Sequence, residues 1–202
     1  CEYCARGDNH LCASRKLLGA HRPGAYAEFV SVPAESALSL PVGLSARIAA
    51  LTEPVAVAVR IGETAGAVAG EDTLIIGAGP IGLLALQALQ AKGAKRVFIA
   101  DLDQARLAMG EALGGETIDP RARDVVKTVR EATHGRGVVV SVDAVGAGVT
   151  RAQCIAATRA AGTLVLTGLH EEASALPVSD VIRREIVLRG CFAYSPANFA
   201  EA

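Results

Sequence analysis

Residues 73–101 read TLIIGAGPIGLLALQALQAKGAKRVFIAD, and the rest of the chain is ordered around them. An apolar run from Thr73 to Ile76 leads into Gly77-Ala78-Gly79-Pro80-Ile81-Gly82. An Ala/Leu-rich stretch of about three helical turns follows and stops at Gly93. A second apolar run over residues 96–100 ends in Asp101. The pattern predicts a strand, a glycine turn, a helix and a second strand that ends in an acid.

Each glycine has a physical task in such a unit. Gly77 permits a tight turn out of the strand, and Gly79, without a Cβ, lets a pyrophosphate approach the backbone. Gly82 lets the helix pack close to the sheet. Pro80 and Ile81 sit in the first helical turn, where free N–H groups and the positive end of the helix dipole favour phosphate. Asp101, nineteen residues after Gly82, supplies a carboxylate that accepts the two hydroxyls of a ribose. A glycine fingerprint alone is weak, but its place between strand and helix, with that acid, predicts a dinucleotide site. The competing readings are a ligand-free glycine turn, a methyltransferase site or an FAD site. FAD sites of this kind sit near the chain start and prefer Glu at the acid position, and neither condition holds here.

The chain has 202 residues, enough for one domain and part of another, and its 51% hydrophobic content provides a sizeable core. No Trp and only 3% aromatic residues disfavour a stacking platform for single-stranded nucleic acid. A net charge of −1 gives no electrostatic case for nucleic acid or an anionic membrane. No apolar run is long enough to span a bilayer, and no secretory signal is seen, so a cytoplasmic location is expected. The first residue is Cys rather than Met, so the natural start is expected to lie upstream.

Cys1, Cys4 and Cys12 have the spacing Cys-x2-Cys-x7-Cys, with Gly, Asp and Asn between them. Three thiolates so close suit a loop wrapped on tetrahedral zinc, which still needs a fourth ligand. His10 offers one at the cost of a strained loop. A reduced surface cluster or disulfides of a secreted protein remain alternatives. Residues 18–33 alternate Tyr26, Phe29, Val30 and Val32 and predict β-structure ending at Pro33. A helix is expected from Ser45, and another around Thr52-Glu53-Pro54, with Pro54 in its first turn. Glu53 reads either as an anionic helix cap or as a metal-binding or catalytic carboxylate. From residue 73 onward, strands are expected over residues 73–78, 96–100, 116–118, 138–142 and 163–167. Helices are expected over residues 80–92, 103–113, 121–133 and 148–160, the third opened by Asp119-Pro120. Gly114-Gly115, Gly135 and Gly162 are read as helix stops. Residues 186–192 read as a last strand, and the remainder as a turn into a new helix. This alternation predicts an α/β fold, a doubly wound parallel sheet covered on both faces.

Together these residues resemble the zinc-containing medium-chain alcohol and polyol dehydrogenases. Four features carry the likeness in order: the cysteines at 1, 4 and 12; the segment GAYAEFVSVP at residues 24–33; Glu53-Pro54; and the glycine fingerprint with Asp101. The resemblance implies a Rossmann domain over residues 51–192. It also implies the tail of a GroES-like β domain with a structural-zinc lobe over residues 1–50, and the start of a C-terminal return over residues 193–202. In that family a fourth zinc cysteine precedes the other three, and a Cys and a His upstream complete a catalytic zinc site. Both would lie outside this chain, which is expected to be an internal fragment, inactive by itself. Glu53 matches the glutamate ligand of the sorbitol and threonine dehydrogenase-like branch.

The resemblance further implies NAD as cofactor, with Gly77, Gly79, Pro80, Ile81 and Gly82 at the pyrophosphate and Asp101 and Arg106 at the adenosine ribose. Ala144, Val145 and Gly146, with Gly168 and Leu169, match loops at the nicotinamide half, and Phe192 closes that pocket. The implied reaction is hydride exchange between a polyol or secondary alcohol and NAD, with zinc polarising the alcohol oxygen. The sequence has no Tyr-x3-Lys pair of the short-chain dehydrogenases, which agrees with a metal-based mechanism. A homodimer or homotetramer paired through residues 186–192 is implied as well. The alternatives are a non-catalytic NAD-binding fragment and a zinc-free NADPH quinone reductase. Asp101 counts against the latter.

Overall fold

Aliphatic and β-branched runs form the strands of one parallel sheet. The structure, a computed structural model, describes residues 1–202 except for the side chain of Glu35. The first part holds α1 (Glu2–Ala5), α2 (Ala46–Ala49) and α3 (Thr52–Ala65). The sheet and its helices follow as β1 (Asp72–Ile76), α4 (Pro80–Ala91), β2 (Arg96–Ala100), α5 (Gln104–Ala112), β3 (Glu116–Ile118) and α6 (Val125–Ala132). Then come β4 (Val138–Asp143), α7 (Gly148–Ala157), β5 (Thr158–Leu166), α8 (Val178–Arg183), β6 (Val187–Gly190) and α9 (Pro196–Glu201). The sheet order is β3-β2-β1-β4-β5-β6, every pairing parallel. That is the doubly wound order, and it reverses direction between β1 and β4.

Period-two alternation assigns each strand residue to one of two cores. Ile75, Val97, Ile99, Val140 and Val142 pack with Ile61 and Ala65 of α3 and Ala85, Leu86 and Leu89 of α4. Leu74, Ile76, Phe98 and Ala100 pack on the other face with Val125 and Val129 of α6 and Cys154 and Ile155 of α7. β1 is buried along its whole length, as a central strand covered on both faces must be. At the opposite end of the sheet from the glycine turn, Arg96 makes a two-pronged contact with Asp72, 2.8 and 2.6 Å, and also donates to the Ala132 carbonyl.

Several boundaries differ from the sequence expectation. Residues 18–33 form no strand, only a lone bridge between Leu18 and Arg22, and Tyr26 and Phe29 face solvent. A strand needs a neighbour for its N–H and C=O groups, and among the described residues none lies alongside. The helix expected from residue 121 begins instead at Val125, because Asp124 accepts the Lys127 N–H and caps it. Asp119 is used in the preceding turn, accepting from the Arg121 N–H and from Gln104. Gly162 is not a helix stop: α7 ends at Ala157, and Gly162 lies inside β5. That strand starts early and shifts register against β4 between Val138 and Val140.

Candidate functional site

The glycine turn closes the carboxyl end of β1. Gly77 has φ +106°, a conformation side chains disfavour, and its N–H donates to the Ala100 carbonyl at 2.7 Å. The turn therefore ties β1 to β2 just before Asp101. A Cβ on Gly82 would overlap the Gly77 carbonyl oxygen, so α4 sits against the turn only because that Cβ is absent. A Cβ on Gly79 would meet nothing within 4 Å, so the backbone here faces open space at the start of α4. Pro80 and Ile81 form the first helical residues.

Asp101 points back onto this turn. Its Oδ2 accepts the Ala78 N–H at 2.7 Å and its Oδ1 the Asp103 N–H at 2.9 Å. The side chain is 11% exposed, and the Arg106 guanidinium stands 3.8 Å from Oδ2. A cavity of about 840 Å³ opens here. Gly77 lines it past β1, Asp101, Leu102 and Arg106 past β2, Pro120 and Arg121 past β3, and Val145, Ala147, Val149 and Thr150 past β4, on the other side of β1 from β2. The structure thus brings Gly77, Asp101, Arg106 and Val145 to one cavity. Gly79, Pro80, Ile81 and Gly82 do not line it, nor do Gly168 and Leu169, and Leu169 is 77% exposed. Gly168 instead crosses against Gly146 so closely that a Cβ on either would overlap the other's backbone. Phe192 also stands apart, half-exposed, with the Arg15 guanidinium 5.2 Å from its ring centre.

The cysteine lobe forms a second cluster. The sulfurs of Cys1, Cys4 and Cys12 lie within 4.8 Å of one another, and those of Cys1 and Cys4 are 3.6 Å apart. Sulfurs bound about 2.3 Å from one tetrahedral zinc sit roughly 3.8 Å apart, so the three thiols fit a metal of that kind. All three are free thiols. His10 is not part of the cluster; its ring is buried, which lowers its pKa. Glu53, second residue of α3, is exposed and joins no group of three metal donors among the described residues. Near it stands Tyr194, whose phenol is pushed up by burial and by the Glu53 carboxylate.

Two groups behind the cavity lining carried no signal recognised from sequence alone. Asp143 is wholly buried at the end of β4, and Arg151 of α7 stands 3.7 Å from it. Both come from ordinary-looking stretches, since a buried acid at a strand end is visible only once the turn folds over it.

Comparisons with known proteins bear on the family and the fold. Residues 80–202 match the family model described as zinc-binding dehydrogenase. L-threonine 3-dehydrogenase of Pyrococcus furiosus is 36% identical over 170 residues, 84% of this chain and 49% of that protein. (R,R)-butanediol dehydrogenase of Bacillus subtilis is 35% identical over 172 residues, 85% of this chain and 49% of that protein. A solved structure from Sinorhizobium meliloti 1021, described as a zinc-binding dehydrogenase bound to NADP, superposes with a TM-score of 0.91 at 30% identity. That match covers 99% of this chain and 60% of the other. The chain spans about half the length of the curated relatives it matches.

Proposed function

We propose that this chain, which belongs to the zinc-binding dehydrogenase family, binds NAD across the carboxyl ends of β2, β1 and β4 and serves hydride exchange with a polyol or secondary alcohol. One observation carries the reading: the cavity that holds Asp101 and Gly77 opens where the sheet order reverses, the place at which open α/β sheets take dinucleotides. NAD bound there supplies the hydride acceptor. The chain's own residues bind and orient it. Each oxygen of Asp101 accepts one backbone N–H and keeps lone-pair capacity for a ribose hydroxyl. Gly79 leaves open space next to the start of α4, where free N–H groups of a first helical turn favour a pyrophosphate.

Asp101 also bears on cofactor choice. A 2′-phosphate beside it would set two anions together in a partly dry site. Arg106 offsets that repulsion only in part, since its guanidinium lies 3.8 Å away and is half-exposed. The reading therefore favours NAD over NADP, although one relative was solved with NADP.

Zinc enters in two different ways. Cys1, Cys4 and Cys12 would hold a structural ion, a crosslink with no part in the reaction. Glu53 alone makes no metal centre, and no reaction step is routed through it. Its role as a catalytic ligand belongs to the proposal only with donors from outside this chain. The same holds for the division at residues 1–50, 51–192 and 193–202, and for the contacts of Gly168, Leu169 and Phe192. Pairing of two copies through β6, which stands at the sheet edge with Val187 half-exposed, is likewise part of the proposal. No helix among the described residues is long and apolar enough to cross a membrane. A cytoplasmic location is part of the proposal. Relatives named for threonine and butanediol support a small hydroxyl-bearing substrate.

Calorimetric titration of the chain with NAD and with NADP tests the reading. NAD is expected to bind at least about tenfold more tightly, and Asp101→Ala to remove most of that preference. Equal affinity for both in the unaltered chain would defeat the cofactor assignment.

A further inference from the structure

We infer that Asp143 is a positioning residue for the cofactor cavity: its buried carboxylate hangs the wall that faces Asp101 from one oxygen atom. The inference rests on the dinucleotide reading above and adds a residue to it. Asp143 is 0% exposed. Its Oδ1 accepts the Val145 N–H at 3.1 Å, the Gly146 N–H at 3.0 Å and the Thr150 hydroxyl at 2.9 Å. Val145 and Thr150 both line the cavity, and Ala147 and Val149 between them line it too. The Thr150 hydroxyl in turn accepts the Ala147 N–H at 3.1 Å, which closes the turn into the first residues of α7. Both ends of the wall therefore meet at Oδ1.

The same residue ties in the next loop. The Asp143 carbonyl accepts the N–H groups of Thr167 and Gly168, at 3.1 and 2.9 Å, just past β5. Oδ2 has no hydrogen-bond partner among the described residues; the nearest cation is Arg151, with Nε at 3.7 Å. Arg151 donates onward to Ser174 at 2.7 Å and to the Glu171 carbonyl at 3.0 Å. The Glu171 carboxylate accepts the Gly148 N–H, at the start of α7, at 2.8 Å. A buried carboxylate is costly to desolvate, and here one oxygen gathers three donors while the other meets only an offset guanidinium. Leu102, just past β2, lines the same cavity, with β1 between it and the wall.

ADP-ribose, which reads the adenosine end without the nicotinamide, is the probe. Its affinity for the chain is measured by calorimetry alongside circular dichroism and thermal unfolding. Asp143→Asn keeps an oxygen for all three donors and is expected to bind within about threefold of the unaltered chain. Asp143→Ala leaves those donors unpaired and is expected to lose about tenfold or more while still folded. A merely structural role predicts the reverse: a lower melting temperature with unchanged affinity, which would overturn the inference. Should Asp143→Ala fail to fold, Thr150→Val decides. It is expected to weaken ADP-ribose by about fivefold, with Thr150→Ser restoring it; Thr150→Val binding like the unaltered chain would overturn the inference. Failure of the unaltered chain to bind ADP-ribose at all would instead bring down the dinucleotide reading, and this inference with it.

Discussion

Two glycines three residues apart in one fingerprint should fail in opposite ways. In Gly82→Ala the new methyl would overlap the Gly77 carbonyl oxygen, with the Gly77 carbonyl carbon at 2.9 Å and Ile75 Cγ2 at 3.5 Å. The obstacle is backbone, fixed by the 2.7 Å bond from the Gly77 N–H to Ala100, so no side chain can turn aside. Relief requires α4 to lift away from β1. Overpacking against rigid neighbours costs about 3 kcal/mol at the upper end of its usual range. Replacing a helical Gly by Ala returns roughly 1 kcal/mol. The net loss is about 2 kcal/mol, a fall in melting temperature of roughly 4–8 °C for a chain of this size. Gly79→Ala differs, because its methyl meets nothing within 4 Å and Gly79 is the residue before α4. It should cost less than about 1 kcal/mol of stability, the difference between Gly and Ala at an N-cap. Its methyl does fill the space a pyrophosphate would approach, so NAD affinity should drop about tenfold or more. Thermal unfolding followed by circular dichroism, with calorimetry on the folded variants, reads both effects. A Gly82→Ala melting temperature equal to that of the unaltered chain would refute the packing argument. Unchanged NAD binding by Gly79→Ala would refute the pyrophosphate argument.

Other outcomes follow from the remaining clusters. Arg96 beside it holds the Asp72 carboxyl below the usual carboxylate range. The pair's stabilisation is therefore complete above the unfolded value of about 3.9 and is lost as pH falls through the lower folded value. Asp72→Asn should cost roughly 1–2 kcal/mol at neutral pH, discounted for the partly exposed Arg96, and should flatten the acid limb of a urea-unfolding pH series. Zinc added to the reduced chain should protect Cys1, Cys4 and Cys12 from alkylation in mass spectrometry and raise the melting temperature, both reversed by a chelator. Cys154, fully buried with its thiol pushed well up by that burial, should stay unreactive with or without zinc until the chain unfolds.

Much of the fold was legible because local signals and burial agree in the nucleotide-binding part. Leu74, Ile75 and Ile76 form a short apolar run that stops at Gly77, and short apolar runs likewise mark β2 and β4. Boundaries slipped where two signals of equal strength compete. Asp119-Pro120 and Asp124 both look like helix starts, and only the folded chain shows that Asp119 serves a turn while Asp124 caps α6. Gly162 reads as a stop but lies within β5, because the chain passes from α7 into the strand with no loop between. Residues 18–33 alternate as a strand should, yet alternation specifies a face and not a partner, and no partner strand is present among the described residues.

The site was legible in the same uneven way. Gly77, Gly82 and Asp101 announce themselves by type and spacing, and the three cysteines by theirs. Val145 was reached only through resemblance, and it shares the cavity with Asp101, whereas Leu169 stands outside it. Asp143 left no trace in the sequence because its importance lies in which N–H groups fold over it. A strand-end Asp has the same composition whether it faces water or organises two loops.

The central claim is that a dinucleotide lies over the glycine turn with its ribose at Asp101. Backbone amide shift mapping of the isotope-labelled chain during NAD titration tests it most directly. The largest shifts are expected on Gly77, Ala78, Gly79, Ile81 and Gly82, with Asp101, Leu102 and Asp103 and the Val145–Gly146 turn close behind. Saturating NAD that leaves those amides unmoved, or moves only residues around the cysteine lobe, would contradict it.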